Sequence, residues 1–423
     1  MNVAVLGRGG REHAICNALK NSLKIDKLFC IPGNAGTEKI AINIDSEILN
    51  FEKLYQVIKK NNIELIVVGP EQPLVEGIVD YFSDKNIKIF GPDKFTASLE
   101  GSKYFTKKIC QENNIPTAKF GIFENLQDAT DFIKKNNTPI VVKADGLASG
   151  KGVSICKTKK EAIKAVKEIL SGKFKSSSKV LLEEFLIGEE MSYFIVTDEK
   201  NYKFFGSAQD HKRVGEKDTG PNTGGMGAYS PSAIINDELE KKILTKIIEP
   251  TLNALKKKNH PFKGFLYAGL MIVDKEPFLI EYNVRMGDPE CQSILPRLNT
   301  DFLEVIQASI NNNISNLEIK WKKEKSMCIA LCSKGYPGEF NKDLEIKNIS
   351  AVEMDLNNNE FIFHAGTYKK KEKIYSNGGR VLNIVALSEK LSTARNNNIK
   401  IINKINWKNG FYRKDIGWKA IKK

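Results

Sequence analysis

The sequence predicts an α/β protein of three domains, and three observations carry that reading. From Met1 to about Gly101 short apolar runs alternate with helical stretches, the pattern of a parallel sheet. Between Ser102 and Trp321 a second α/β unit ends in two long neighbouring strands, and from about residue 322 to 423 three strands and a helix make a small α+β unit. A chain of 423 residues with 41% hydrophobic content supplies enough apolar surface for several cores. The expected domains are 1–101, 102–321 with a subdomain at about 120–190, and 322–423.

In the first unit, strands are expected at Val3 to Leu6, Leu28 to Ile31, Leu65 to Val68 and Ile87 to Phe90, with helices from Arg11, Phe51 and Gln72 between them. The opening turn reads Gly7-Arg8-Gly9-Gly10-Arg11-Glu12-His13. A dinucleotide fingerprint needs glycine at position 12, where Glu12 stands, so an NAD site is not expected. Glycines that open a helix still suit a phosphate, and Gly69-Pro70-Glu71 and Gly91-Pro92 end later strands at the same sheet edge. Simple chain reversal is the alternative for each turn.

In the second unit, Phe120 to Phe123, Ile140 to Lys143, Val153 to Cys156 and Val180 to Glu184 read as strands, with helices from Leu126 and Lys160. The loop Lys143 to Val153 holds Gly146, Gly150, Lys151 and Gly152. Its spacing is not that of a P-loop, because strands flank it on both sides; it is either a nucleotide flap or a plain hairpin. The acids of Glu183 to Glu190 follow, a set suited to an adenine amino group and ribose hydroxyls.

Gln209 to Pro231 is polar and rich in glycine, between apolar Tyr202 to Phe205 and a helical stretch from Asp237 to Lys257. It reads as a long binding loop for an anion that cannot be built as ordinary packed structure, with a disordered connector as the alternative. Gly264 to Val273 and Pro277 to Val284 read as an antiparallel pair. In a regular strand Glu281, Asn283 and Arg285 share one face, while Phe278, Ile280 and Tyr282 line the other against the core. A carboxylate and an amide oxygen two positions apart suit a hard cation such as Mg²⁺; a surface ion pair of Glu281 with Arg285 is the alternative.

Strands at Met327 to Cys332, Phe361 to His364 and Val381 to Ala386, with a helix from Ser388 to about Lys404, complete the chain. The net charge of +14 is spread among Asn and Ile without a basic stripe, so lysine-rich solvated faces account for it better than nucleic acid. Seven scattered cysteines without C-x-x-C, and four histidines, suggest neither a disulfide framework nor zinc. No run of about 18 apolar residues is present, so a soluble, cytoplasmic protein without a membrane partner is expected.

Taken in order, Gly7 to His13, Pro32 to Gly36, Gly69 to Leu74, Leu99 to Lys103, Lys143 to Val153, Gln209 to Pro231, Leu266 to Met271, Glu281 to Glu290, Phe363 to Thr367, Asn377 to Val381 and Arg413 to Trp418 carry a resemblance to a known family. The chain resembles the ATP-grasp ligases, and among them the glycinamide ribonucleotide synthetases. Arg8 stands where that family often has Asn, Met286 where Phe is common and Cys291 where Thr is common. The resemblance implies an N-terminal pre-ATP-grasp domain, a central ATP-grasp domain with a mobile lid, and a C-terminal domain. It also implies ATP-driven joining of glycine to 5-phosphoribosylamine through a glycyl phosphate, in purine biosynthesis, with Mg²⁺ or Mn²⁺. ATP would be held by Lys107, Lys143, Gly150, Lys151, Gly152, Glu183, Leu186 and Glu190, and the metal by Glu281 and Asn283. Arg285 and Lys143 would be catalytic. Gly9, Gly10, Asp210, Lys212, Arg213, Asn222, Thr223, Gly224, Gly225, Met226, Arg285 and Asp288 would hold substrate. A monomer or weak homodimer without a nucleic-acid partner is expected. Another ATP-grasp carboxylate-amine ligase or carboxylase would share the ATP residues but not the Asp210 to Pro231 loop. A basic nucleic-acid-binding protein on an inactive scaffold has no use for Lys143, Glu281, Asn283 and Arg285 together.

Overall fold

Apolar runs that are buried on both faces pair in parallel at the start of the chain. β1 (Asn2–Gly7), β2 (Lys27–Pro32), β3 (Ile42–Asn43), β4 (Leu65–Val68) and β5 (Lys88–Phe90) form a sheet of order β3-β2-β1-β4-β5. Val3, Ala4, Val5 and Leu6 are all fully buried, and each of the larger side chains contributes about 1.5–3 kcal/mol by leaving water. The chain is described here from a computed structural model covering residues 1–147, 152–173 and 179–422.

A four-stranded antiparallel sheet follows, of order β6-β9-β7-β8, from β6 (Phe120–Phe123), β7 (Ile140–Ala144), β8 (Val153–Cys156) and β9 (Val180–Glu184). Helices Leu126–Lys135 and Lys159–Leu170 cover one face and close a core of their own that includes Ala129, Ile133, Val142, Ala162 and Val166. Asn125 and Thr158 cap these helices, each accepting a backbone N–H three residues on.

The largest sheet is built from β10 (Glu189–Asp198), β11 (Tyr202–Asp210), β14 (Gly227–Ser230), β15 (Lys263–Val273), β16 (Glu276–Asn283), β17 (Lys325–Ser333), β18 (Glu360–His364) and β21 (Arg380–Ser388). Its order is β16-β15-β10-β11-β14-β17-β21-β18, with β22 (Gly410–Phe411) on β17. Two small hairpins stand apart: β12 (Arg213–Gly215) with β13 (Thr219–Asn222), and β19 (Thr367–Lys370) with β20 (Lys373–Ser376).

Two sequence expectations are corrected here. Gln209 to Pro231 is not an unbuilt loop. It closes β11, forms the β12/β13 hairpin and enters the large sheet as β14, where Met226, Ala228 and Tyr229 are buried. The sequence hid this because β14 is buried along its whole length yet built from Gly227, Ala228, Tyr229 and Ser230, with the Ser230 hydroxyl satisfied by Ser207 O. β16 is also not a regular strand. Gly269 pairs with Glu281 but Leu270 pairs with Leu279, so Ile280 is an extra, bulged residue. Leu279 and Tyr282 are buried and Ile280 is only partly so, and all three border the cavity described next.

Candidate active site

Between the four-stranded sheet and the large sheet lies a cavity of about 470 Å³, lined from β7, β8, β9, β11 and β16 and from the turns after them. Of the residues singled out by sequence, Lys107, Lys143, Glu183, Leu186, Glu190, Asp210, Lys212, Asn222, Thr223, Gly224, Glu281, Asn283, Arg285 and Asp288 all face it. Gly150 and Lys151 lie outside the described residues. Gly152 is buried in the β7/β8 turn, its carbonyl accepting from Ala144 N at 2.8 Å.

At one end, Lys107 on helix Lys103–Glu112 and Lys143 on β7 converge on a single acid. Lys107 Nζ lies 2.7 Å from Glu183 Oε1, and Lys143 Nζ lies 2.5 Å from Glu183 Oε2. Burial works against the Glu183 charge, but the two ammonium groups outweigh it and hold the carboxyl below its usual range. Burial is also the main reason the Lys107 ammonium titrates low, only partly offset by Glu183. The Glu183 carboxylate, expected at an adenine edge, is engaged here by both lysines. Residues separated by 36 and 40 positions meet here, which no local spacing announces.

Next along the cavity, Glu281 and Asn283 project from the end of β16. The Glu281 side chain is 38% accessible, opening onto the cavity. Burial opposes its charge, and Lys212, Lys143, Lys103 and Arg285 more than compensate, so it stays ionised below the usual range. Lys212 Nζ sits 3.4 Å from Glu190 Oε2 and 3.9 Å from Glu281 Oε1. A permanently ionised carboxylate beside an amide oxygen, facing lysines that attract phosphate, is a donor set that fits a hard divalent cation shared with a nucleotide. Among the described residues no group of three or more His, Cys, Asp or Glu forms a self-sufficient metal cage. Such an ion would need oxygens from its ligand.

The far end joins Arg285, Asp288 and Asp210, named from the sequence, to partners given no role there: Glu71, Glu100, Arg380 and Glu290. Arg285 Nη2 meets Glu100 Oε1 at 2.6 Å and its Nε lies 3.3 Å from Glu71 Oε2. Arg285 chiefly, and Arg11 after it, hold Glu71 at a pKa of about 2 against the effect of burial. Arg380, from the C-terminal strand β21, reaches Asp288 Oδ2 at 3.2 Å and donates through Nη1 to the carbonyls of Asp288 and Gly224, each at 2.7 Å. Glu290 accepts from Tyr267 and Ser192, and with burial it pushes the Asp210 carboxyl well above the ordinary range against the pull of Lys212. The motif around Asn377 to Val381 contains Arg380, but nothing in the sequence places it beside Asp288.

Five proposed substrate residues do not face the cavity. Met226 is fully buried among Ile329, Leu331 and Ile416, and its backbone bonds to His211 and Ala330, so it is a core residue. Arg213 turns its guanidinium to Gly220 O at 2.8 Å within the hairpin. Gly10 allows close packing: a Cβ there would stand 2.1 Å from Asn383 Nδ2 and 2.7 Å from Gln292 Nε2. Gly225 has φ +116°, and a Cβ would meet Pro289 at 2.4 Å and Asp210 Oδ1 at 2.8 Å. Gly9 belongs with these, because its N–H is taken by Glu12. Glu12 fills the crevice between the strand-end turns, and a Cβ at Gly7 or Gly69 would also strike it, so the predicted phosphate cradle at this edge already holds a carboxylate.

A lysine on a small antiparallel sheet and another on the helix before it, facing a carboxylate and an amide on a larger sheet beside a parallel α/β domain, define an ATP-grasp enzyme. Family models agree domain by domain: phosphoribosylglycinamide synthetase N domain over residues 1–100, ATP-grasp (A) domain over 101–291 and C domain over 326–419. The chain belongs to the phosphoribosylglycinamide synthetase family and is an ATP-dependent ligase of purine biosynthesis. It is 43% identical over 424 residues to a phosphoribosylamine–glycine ligase of Brucella melitensis biotype 1, covering 100% of this chain and 99% of the relative. It is 44% identical to one of Caldanaerobacter subterraneus subsp. tengcongensis, covering 98% and 99%. A crystal structure of a phosphoribosylamine–glycine ligase from Thermotoga maritima superposes with TM-score 0.86 at 33% identity, covering 98% of this chain and 100% of that one. A biotin carboxylase domain from Hydrogenobacter thermophilus, at 16% identity and TM-score 0.74 over 97% and 91%, shares the fold.

Proposed function

We propose that the chain joins glycine to 5-phosphoribosylamine, giving glycinamide ribonucleotide, ADP and phosphate through a glycyl phosphate. The observation that carries this reading is one continuous cavity. It has paired lysines at one end, the Glu281 and Asn283 oxygens in the middle, and the Asp210 to Gly224 segment with Arg285 and Asp288 at the other. Lys107 and Lys143 neutralise nucleotide phosphates, and Glu183 keeps both ammonium groups aimed at one place. Glu190 and the backbone around Leu186 receive the nucleoside. Mg²⁺ or Mn²⁺ held by Glu281 and Asn283 would supply charge neutralisation at the phosphates.

Arg285 presents a guanidinium to the carboxylate and then to the acyl phosphate, a planar fork suited to paired oxygens. Asp210, Lys212, Asn222, Thr223, Gly224 and Asp288 hold the amine substrate. No protein nucleophile is required, so the residues position reactants and exclude water. The four-stranded sheet, with its separate core, serves as a lid over ATP. The chain works in the cytoplasm as a monomer or weak homodimer; no described helix is long and apolar enough to cross a membrane. The test is ADP release with glycine and phosphoribosylamine each omitted in turn. Turnover that needs both supports the reading, and release indifferent to the amine overturns it.

A further inference from the structure

The two ends of the amine-side segment face the cavity, but the hairpin between them does not. Asp210 and Lys212 line the cavity on one side and Asn222, Thr223 and Gly224 on the other. Between them β12 and β13 turn away and lie on the C-terminal tail. Arg413 of that tail is 1% accessible and its guanidinium is fully engaged. Nη1 donates to Arg213 O at 2.9 Å and to Asp218 Oδ1 at 3.0 Å, while Nε and Nη2 bind the two oxygens of Asp415 at 2.8 and 2.9 Å. Asp415 Oδ2 also accepts from Lys217 N at 2.7 Å, and Lys419 reaches Asp218 Oδ2 at 3.1 Å. Gly417 N donates to His211 Nε2 at 3.0 Å. Neighbours in extended chain point to opposite sides, so fixing His211 on the tail turns Asp210 and Lys212 toward the cavity.

We infer that the tail Arg413 to Gly417 is a positioning device for the amine substrate, holding the β12/β13 hairpin from behind so that the residues at its two ends keep their places in the cavity. The inference rests on the ligase reading above and extends it to residues that touch no reactant. None of the tail's contacts reaches Lys107, Lys143 or Glu183, and its link to the nucleotide half runs only through Lys212, which lies 3.4 Å from Glu190 and 3.9 Å from Glu281. The arrangement is strong because a buried guanidinium with two acids cannot be broken without stranding a charge. Its charged side chains meet this hairpin, whereas Ile416 beside them packs into the C-terminal core.

The experiment is steady-state kinetics on the full chain, varying ATP, glycine and phosphoribosylamine separately, for Arg413→Ala, Arg413→Lys and Asp218→Asn. The expected result is a rise in KM for phosphoribosylamine of about tenfold to a hundredfold in Arg413→Ala, the scale of misplacement by about 1 Å, with KM for ATP within about twofold of the parent. Arg413→Lys recovers part of the loss. Should Arg413→Ala fail to fold, Asp218→Asn at a partly exposed position shows the same selectivity at smaller size. Equal changes for ATP and the amine, or a lowered Tm with unchanged constants, would overturn the inference. A parent enzyme whose ADP release ignores phosphoribosylamine would overturn the ligase reading and this inference with it.

Discussion

Glu281 is the residue whose charge the site works hardest to keep. Four cationic side chains hold it ionised against burial, the state in which a carboxylate would hold a divalent cation. Replacing it with Gln preserves shape and removes the charge. Turnover of Glu281→Gln should fall at least about a hundredfold at saturating Mg²⁺, with Tm little changed; near-parental kcat would remove the metal assignment. Lys143→Ala should weaken ATP binding and phosphoryl transfer together. Gly225→Val, forced into φ +116° against Pro289 and Asp210, should raise KM for phosphoribosylamine instead. If Gly225→Val weakens ATP and spares the amine, that turn belongs to the nucleotide half. His211 titrates at about 4 rather than 6.5, first because it is buried and then because Arg413 is near, against Asp218 and Asp415. The unfolded chain therefore binds this proton first. The contribution is whole above pH 6.5 and is lost as pH falls from 6.5 to 4, amounting to about 3 kcal/mol at most. A Tm measured across that window should fall less steeply in His211→Gln, which keeps an acceptor for Gly417.

At the scale of elements, the four-stranded sheet with its two helices stands on its own core and meets the rest through few side chains. Ser102 Oγ and Tyr104 N bind Asp145, Lys103 donates to Gly146 O at 2.9 Å, and Lys107 pairs with Glu183. A unit of this kind can move without breaking the large sheet. Hydrogen exchange across residues 120–147, 152–173 and 179–184 should slow when ATP is added, and exchange indifferent to ATP would remove the lid. Most of these elements were legible in sequence, including both flanking helices, because their apolar period and caps are local. The bulge at Ile280 was not, since a bulge is a property of pairing between β15 and β16 and leaves no mark in β16 alone.

Across the whole molecule the C-terminal domain is continuous with the catalytic one. β14 pairs with β17, and Met226 and Tyr229 share a core with Met327, Ile329 and Ile416. Arg380 and Arg413 reach from that domain to the backbone of Gly224 and Arg213. A chain cut before Lys325 should therefore not survive as a folded, ATP-binding fragment, because β14 would present a bare edge and an exposed apolar patch. A soluble fragment with a cooperative thermal transition would show that the shared sheet is dispensable. The N-terminal domain is tied in differently, through His13 and Asn34, which bind the backbone of His364 at 2.8 Å each.

The sequence by itself determined the α/β class, the order of elements, the family resemblance and a set of site residues most of which face the cavity, since those depend on local period and on motifs kept within short spans. Tertiary structure alone decided how charge is shared. Glu183 proved to serve two lysines, Glu12 to fill the N-terminal turn, Met226 to be core, and Arg380 and Arg413 to act on a segment some 150 to 200 positions earlier. The physical reason is that ion pairing falls steeply with distance in space and is indifferent to distance along the chain, so a charge shows its partner only after the sheets that carry both have come together.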